Sequence, residues 1–266
     1  MKLIAKIILI IIFVPVFLLF LLAVNLRFQL LAPSFWEKAF TSGDVYSRLS
    51  VSINKNLETQ TIAEGGRASD VKVLTELITS ENLKETINKN VNNILQFVNG
   101  KTPEIIVYVP VGKIPKSLLS KNFSKITEQT KLTDLLKKFN MSGVSPVQIQ
   151  MIAHVGVGAW FFFVILCLIS VLLLYPLYLL VDSGKRVVAP GVALILSGLL
   201  ALFVTASGTI IRINWAKDIT ENSNIRDATI GIIAPPVIQG VLSAWLLFAA
   251  AAIILGIVLF FVKKKK

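Results

Sequence analysis

Histidine and cysteine each occur once in this 266-residue sequence, as His154 and Cys167. A single cysteine leaves no disulfide within the chain, so any water-facing part has to hold itself together by packing. One His and one Cys do not make a zinc site, and no Asp or Glu lies at ligand spacing beside them. There is no Gly-rich phosphate loop, no nucleophile elbow and no metalloprotease helix. Charge is scarce too: Asp, Glu, Lys and Arg make up 16% of the chain, against about 25% in soluble domains. Inside the long apolar runs it is missing altogether apart from Lys6 near one end. Intramembrane charges mark proton relays and ion sites, so their absence argues against an ion-coupled transporter. The expectation is a non-enzymatic chain with no catalytic residue, no metal and no cofactor; His154 reads as an interfacial or packed histidine and Cys167 as packing filler.

What is present is apolar. Hydrophobic residues make up 55% of the chain and the mean hydropathy is +0.74. Four runs reach the roughly 20 residues needed to cross about 30 Å of hydrocarbon. Transmembrane helix 1 is read at 1–26 as a retained signal anchor with a kink at Pro15, because its apolar core is longer than a signal peptide's and Ala23-Val24-Asn25 is a poor cleavage site. Helix 2 is read at 146–181, helix 3 at 187–211 and helix 4 at 235–262, opened by Pro235-Pro236. Ser145-Pro146-Val147-Gln148 combines a capping Ser, a Pro at the first helical position and a Gln at the third. It predicts one unbroken helix of about 54 Å, longer than the bilayer core, whose outer turns project and couple to the domain before it. Gly156 and Gly158 are the places where that helix could hinge.

The net charge of +12 gathers at the ends of these runs. Lys2, Lys6, Lys185, Arg186 and Lys263 to Lys266 mark the N-terminus, the 182–186 turn and the 263–266 tail as cytoplasmic. Residues 27–145 and the 212–234 loop then fall outside, which predicts a multi-pass plasma-membrane protein of prokaryotic type with both termini inside. Residues 25–150 carry 16 basic and 11 acidic residues with no basic and aromatic cluster, so nucleic acid is not an expected partner.

Residues 27–145 read as a mainly α-helical extracytoplasmic domain, with one or two short strands, inserted between spans 1 and 2. Ser34-Phe35-Trp36-Glu37 has the form of a capping box for a short helix carrying Trp36 and Phe40. After Asp44, Val45, Leu49, Ile53 and Leu57 recur every four residues, although Leu49, Val51 and Ile53 also fit a strand. Gly65-Gly66 is a turn. Val71, Leu74, Leu77 and Ile78 form a stripe that ends at a joint near Ser80. Leu83, Ile87, Val91, Ile94 and Val98 make the apolar face of a helix closed by Gly100 and packed on the Trp36 to Leu57 region. Ile105 to Val109 is a strand, its partner either Leu49 to Ile53 or a second molecule. A helix over 130–140 turns Leu132, Leu135, Leu136 and Phe139 inward, and Met141-Ser142-Gly143 makes a joint. Asn122 and Asn140 begin N-glycosylation patterns that so asparagine-rich a stretch yields by chance.

Gly191 and Gly198 in the third span, and Gly240, Ala244, Ala252 and Gly256 in the fourth, are small residues suited to close helix packing. They serve either one four-helix bundle or a homo-oligomer. Tyr175, Tyr178 and Trp215 are placed as belt aromatics. Four spans with two outer loops resemble tetraspanins and claudins in topology alone. Their outer-loop cysteines are missing, and the larger loop comes first, unlike in tetraspanins. The expected function is an envelope protein whose outer domain binds a protein, lipid or wall partner, with membrane lipid around the spans. The alternative is a subunit of a small oligomeric channel or transporter.

Overall fold

A computed structural model describes residues 2–63, 72, 75–76, 78–113, 127–138, 145–181, 187–221 and 225–262. Several expectations lie outside those residues: the Gly65-Gly66 turn, the stripe at Val71, Leu74 and Leu77, Phe139, the joint at 141–143, Asn122, Asn140, the 182–186 turn and the lysine tail. So does the side chain of Trp215. The chain divides into two compact units, one of Met1–Leu30, Gly158–Asn214 and Ile238–Lys266, the other of Leu31–Val157 and Trp215–Val237.

Four helices are long and apolar enough to cross a membrane, in Lys2–Leu30, Val147–Leu179, Val188–Ile213 and Asp227–Phe261, which makes this a multi-pass membrane protein by length and composition. In the first unit, α1 (Lys2–Asn25), α7 (Val155–Leu179), α8 (Val188–Glu221) and α9 (Ile225–Phe261) supply the apolar helices. In its most apolar window α8 is 50% buried, against 22%, 11% and 22% for the other three spans in chain order, so it is the central helix. Phe13 of α1 is buried with Leu177, Ala189, Ala193 and Leu194. About two turns further along, Leu21 joins Ala201, Trp245 and Ala249. The outward faces keep Phe161, Leu172, Phe203 and Phe261 more than half exposed, a surface suited to hydrocarbon rather than water.

The second unit holds α2 (Pro33–Ser42), α3 (Val45–Ala63), α4 (Ser80–Val98), β1 (Ile106–Tyr108), β2 (Gln129–Lys131), α5 (Leu132–Lys138) and α6 (Pro146–Ile152). The box expected at Ser34 does not form. Pro33, whose fixed φ suits a first turn, opens α2 two residues earlier, and Ala32 caps it without a side-chain bond. The helix reading of 45–63 wins over the strand because Val51, which a strand would turn inward with Leu49, is 66% exposed. Phe40, Val45, Tyr46 and Leu49 form a core on which Leu83, Ile87 and Val91 of α4 pack, as the stripe requires. The Tyr46 hydroxyl donates to Asn88 Oδ1 at 2.6 Å.

Both ends of α4 follow its sequence. Thr79 caps it, accepting from the Asn82 N–H. At the other end the Lys101 and Gly100 amides bond back to Gln96 and Phe97, with Gly100 at φ +70°, a Schellman closure.

β1 pairs antiparallel with β2, in the register Ile106 to Lys131, Val107 to Thr130 and Tyr108 to Gln129. That pairing replaces both partners expected for it. The other edge of β1 is taken by α4: Asn90 bonds both the N–H and the C=O of Tyr108, at 2.7 and 2.9 Å, and Asn93 donates to Ile106 O at 2.9 Å. Amide side chains here stand in for a third strand and blunt an edge that would otherwise pair with another chain.

The capping box at Ser145 and Gln148 forms with both reciprocal bonds. The helix it opens is not continuous. It turns at Ala153 and His154 before α7 begins at Val155. Gly156 is pinned rather than hinged, since a Cβ there would lie 2.8 Å from Asn99 Cα. Asn99 also donates to Leu31 O at 3.3 Å, so one residue ties together the chain leaving the first span and the chain starting the second.

The loop read at 212–234 is mostly helical, because α8 runs on to Glu221 and α9 starts at Ile225. Pro235 and Pro236 therefore sit inside a helix rather than opening one. Interior prolines cost about 3 kcal/mol or more. Burial of this stretch works against that cost, with Ile232 in the domain core and Ile233 and Val237 packed on it.

Candidate functional site

Gly191, Gly198 and Gly256 lie along one seam between spans 3 and 4. α8 and α9 run antiparallel with their backbones in contact. A Cβ on Gly191 would lie 2.8 Å from Gly256 O, and one on Gly256 would lie 2.6 Å from Gly191 O. Seven residues further along α8, a Cβ on Gly198 would meet Ala249 O at 2.8 Å, and Gly208 abuts Leu242. Ala252 is buried, while Gly240 and Ala244 are half-buried. The faces around Gly191, Gly198 and Gly256 are thus used between helices of one chain. Ser197 and Thr205 are buried beside the seam, and each spends its hydroxyl proton on a carbonyl four residues back, Ala193 O and Ala201 O, at 2.8 Å.

Alongside Gly208 a groove of about 440 Å3 runs between the two helices, lined by Thr205, Thr209 and Arg212 of α8 and by Gln239, Leu242, Ser243, Leu246 and Leu247 of α9. Spacings of four and three residues put the α8 members on one helical face, and Gln239, Leu242, Ser243 and Leu246 share a face of α9. Arg212 Nη1 donates to Gln239 Oε1 at 2.5 Å. Among the described residues no carboxylate pairs with Arg212. Thr209 and Ser243 donate to Thr205 O and Gln239 O of their own helices, so their hydroxyl protons are committed. The donors left over are the remaining guanidinium N–H groups and the Gln239 amide. The groove therefore has a cationic, donor-rich mouth above a floor of leucines.

No family model, curated protein or solved structure matches this chain. Every functional statement about it rests on its own residues.

Three more features carry no sequence pattern. Asn25, at the end of the first span, is 2% exposed, and neither polar atom of its side-chain amide has a hydrogen-bond partner. It is followed by a π-helical turn over Leu26–Leu30, in which the Arg27 guanidinium lies 5.6 Å from the Trp160 ring and 5.9 Å from Phe28. Such turns often sit at functional positions. In the domain, Lys89 lies 3.9 Å over the Tyr108 ring and donates to Glu85 at 2.7 Å. His154 is exposed in the turn before α7, and no group of His, Cys, Asp or Glu able to hold a metal occurs among the described residues. Arg212 was countable in the sequence only as one basic residue of a loop. Its role needs Gln239, 27 residues away.

Proposed function

We propose that this chain is a non-enzymatic envelope protein of the plasma membrane, with both termini cytoplasmic and an extracytoplasmic helical domain that binds a protein, lipid or wall partner. The observation that carries the reading is the shared core of the second unit. Ile232, Ile233 and Val237, from the segment between the last two spans, pack with Phe40, Tyr46 and Leu49 from the segment between the first two. In any four-span chain those two segments lie on the same side of the bilayer, and a common core demands that. The clustering of Lys and Arg on the other segments favours the outside for it. Burial of Phe13 and Leu21 of α1 among α7, α8 and α9 supports a retained first helix. The channel-subunit alternative draws no support from the glycine faces, which are taken up within the chain.

The single cysteine makes the test clean. In a Cys167→Ala background, Val51→Cys and Ile62→Cys, at positions 66% and 64% exposed, should react with a membrane-impermeant maleimide in intact cells. Ser183→Cys should react only after permeabilisation. The opposite pattern would invert the orientation and end the outer-domain reading. Photo-crosslinkers at the same two positions should then yield a discrete adduct, and adducts arising only from positions within the spans would refute a partner for the domain.

A further inference from the structure

We propose that the α8–α9 groove holds an anionic phospholipid, with its phosphate on Arg212 and Gln239 and an acyl chain along Leu242, Leu246 and Leu247. The proposal is independent of what the outer domain binds. Three observations lead to it. Arg212 is a cation at the end of an apolar span with no carboxylate beside it among the described residues, and it keeps most of its N–H donors after bonding Gln239. A guanidinium in that state matches a phosphate, to which it can make two parallel bonds. The hydroxyls lining the walls are committed to their own helices, so nothing below the mouth asks for a polar ligand.

The floor then sets what the rest of the ligand must be. Leu246 and Leu247 are 51% and 70% exposed, so the groove opens sideways from a helix apolar enough to lie in hydrocarbon. From Gln239 to Leu247 is eight residues, about 12 Å along the helix, the length of an acyl segment rather than of a bare ion. A soluble anion would gain nothing from the leucines. A cation is repelled by Arg212, a lipid without a phosphate leaves the guanidinium unpaired, and a zwitterionic headgroup brings its own cation up against it. An anionic headgroup with an attached chain uses both ends of the groove.

The full chain, reconstituted in phosphatidylcholine nanodiscs with added phosphatidylglycerol and released for native mass spectrometry, should retain phosphatidylglycerol in preference to phosphatidylcholine. Arg212→Gln should weaken that retention by about tenfold or more, the scale of a lost charge-assisted pair. Leu246→Trp, which fills the floor and leaves the arginine in place, should weaken it comparably. Inorganic phosphate should fail to displace the lipid. Unchanged retention in Arg212→Gln overturns the proposal. So does retention unaffected by Leu246→Trp, or displacement by phosphate, which would leave an anion site with no role for the groove. If Arg212→Gln does not fold, Arg212→Lys keeps the charge, loses the two-pronged geometry and should still fall several-fold; no change there also overturns it. Phosphatidylglycerol should raise the thermal midpoint of the wild-type chain and not that of Arg212→Gln.

Discussion

Gly43 offers a test of how the domain is assembled, because two opposed effects predict opposite signs. Its backbone, at φ −91° and ψ 4°, is one that alanine adopts freely. With open space beside it, Gly43→Ala would stabilise the fold by about 0.4–1 kcal/mol through the unfolded chain's lost freedom. The structure leaves no such space. An added Cβ would stand 2.5 Å from Cβ and 2.7 Å from Cγ of Pro236, and 3.1 Å from Ala39 O. Carbon pairs prefer about 3.5–4.0 Å, and a proline ring cannot rotate away, so helix backbone has to shift. Overpacking of that kind costs about 1–3 kcal/mol, which outweighs the entropic gain. The expected net change is therefore a destabilisation of roughly 0–2.5 kcal/mol. Pro236→Gly removes both clashing carbons and should restore the alanine variant, giving a coupling energy of about 1–3 kcal/mol in a double-mutant cycle. Denaturant unfolding of the purified full chain, followed by fluorescence, measures all four corners. A clear stabilisation by Gly43→Ala, or additivity within about 0.5 kcal/mol, would refute the packing of the late segment against α2 and remove the main support for the shared core.

Other outcomes follow from the same packing. Asn90→Leu should cost about 1–3 kcal/mol by stripping Tyr108 of both edge bonds, and should speed hydrogen exchange at its amide; Asn90→Asp, which keeps only the acceptor, should fall between the two. Leu21→Ala, at a site 0% exposed, should cost about 2–5 kcal/mol in thermal unfolding. Asn25→Leu should be neutral or stabilising, since a buried amide without partners is a liability, and a large loss would reveal a partner for it. Burial chiefly pushes the Tyr46 hydroxyl above its usual pKa of 10.0, with Glu37 adding to the rise and the Asn88 bond opposing it, while the Glu85 bond chiefly raises Lys89 above 10.5. In both cases the folded chain holds a proton that the unfolded chain gives up. Stability present at neutral pH should thus decline as pH rises beyond about 10. Tyr46→Phe should flatten that decline in an alkaline titration of the unfolding midpoint, and an unchanged slope would count against the buried phenol.

What the sequence determined by itself is what local chemistry encodes. Span existence follows from apolar length; the box at Ser145 and Gln148 and the closure at Gly100 follow from caps within a few residues of the helices they end. The stripe from Leu83 to Val91 even named its packing partner, because one apolar face has to be covered. The tertiary structure decided whatever depended on distant residues. Val51 could be assigned to helix or strand only by which face the core occupied. β1 needed Asn90 and Asn93 to show that its second edge is closed. The prolines at 235 and 236 read as a helix start, since nothing nearby shows that a domain core holds the preceding turns helical. The small residues were visible as a set, but a set of glycines does not say whether it faces another helix of the same chain or of a neighbour. Contacts such as Gly191 with Gly256 and Arg212 with Gln239 join positions whose spacing carries no pattern, so only the folded chain brings them together.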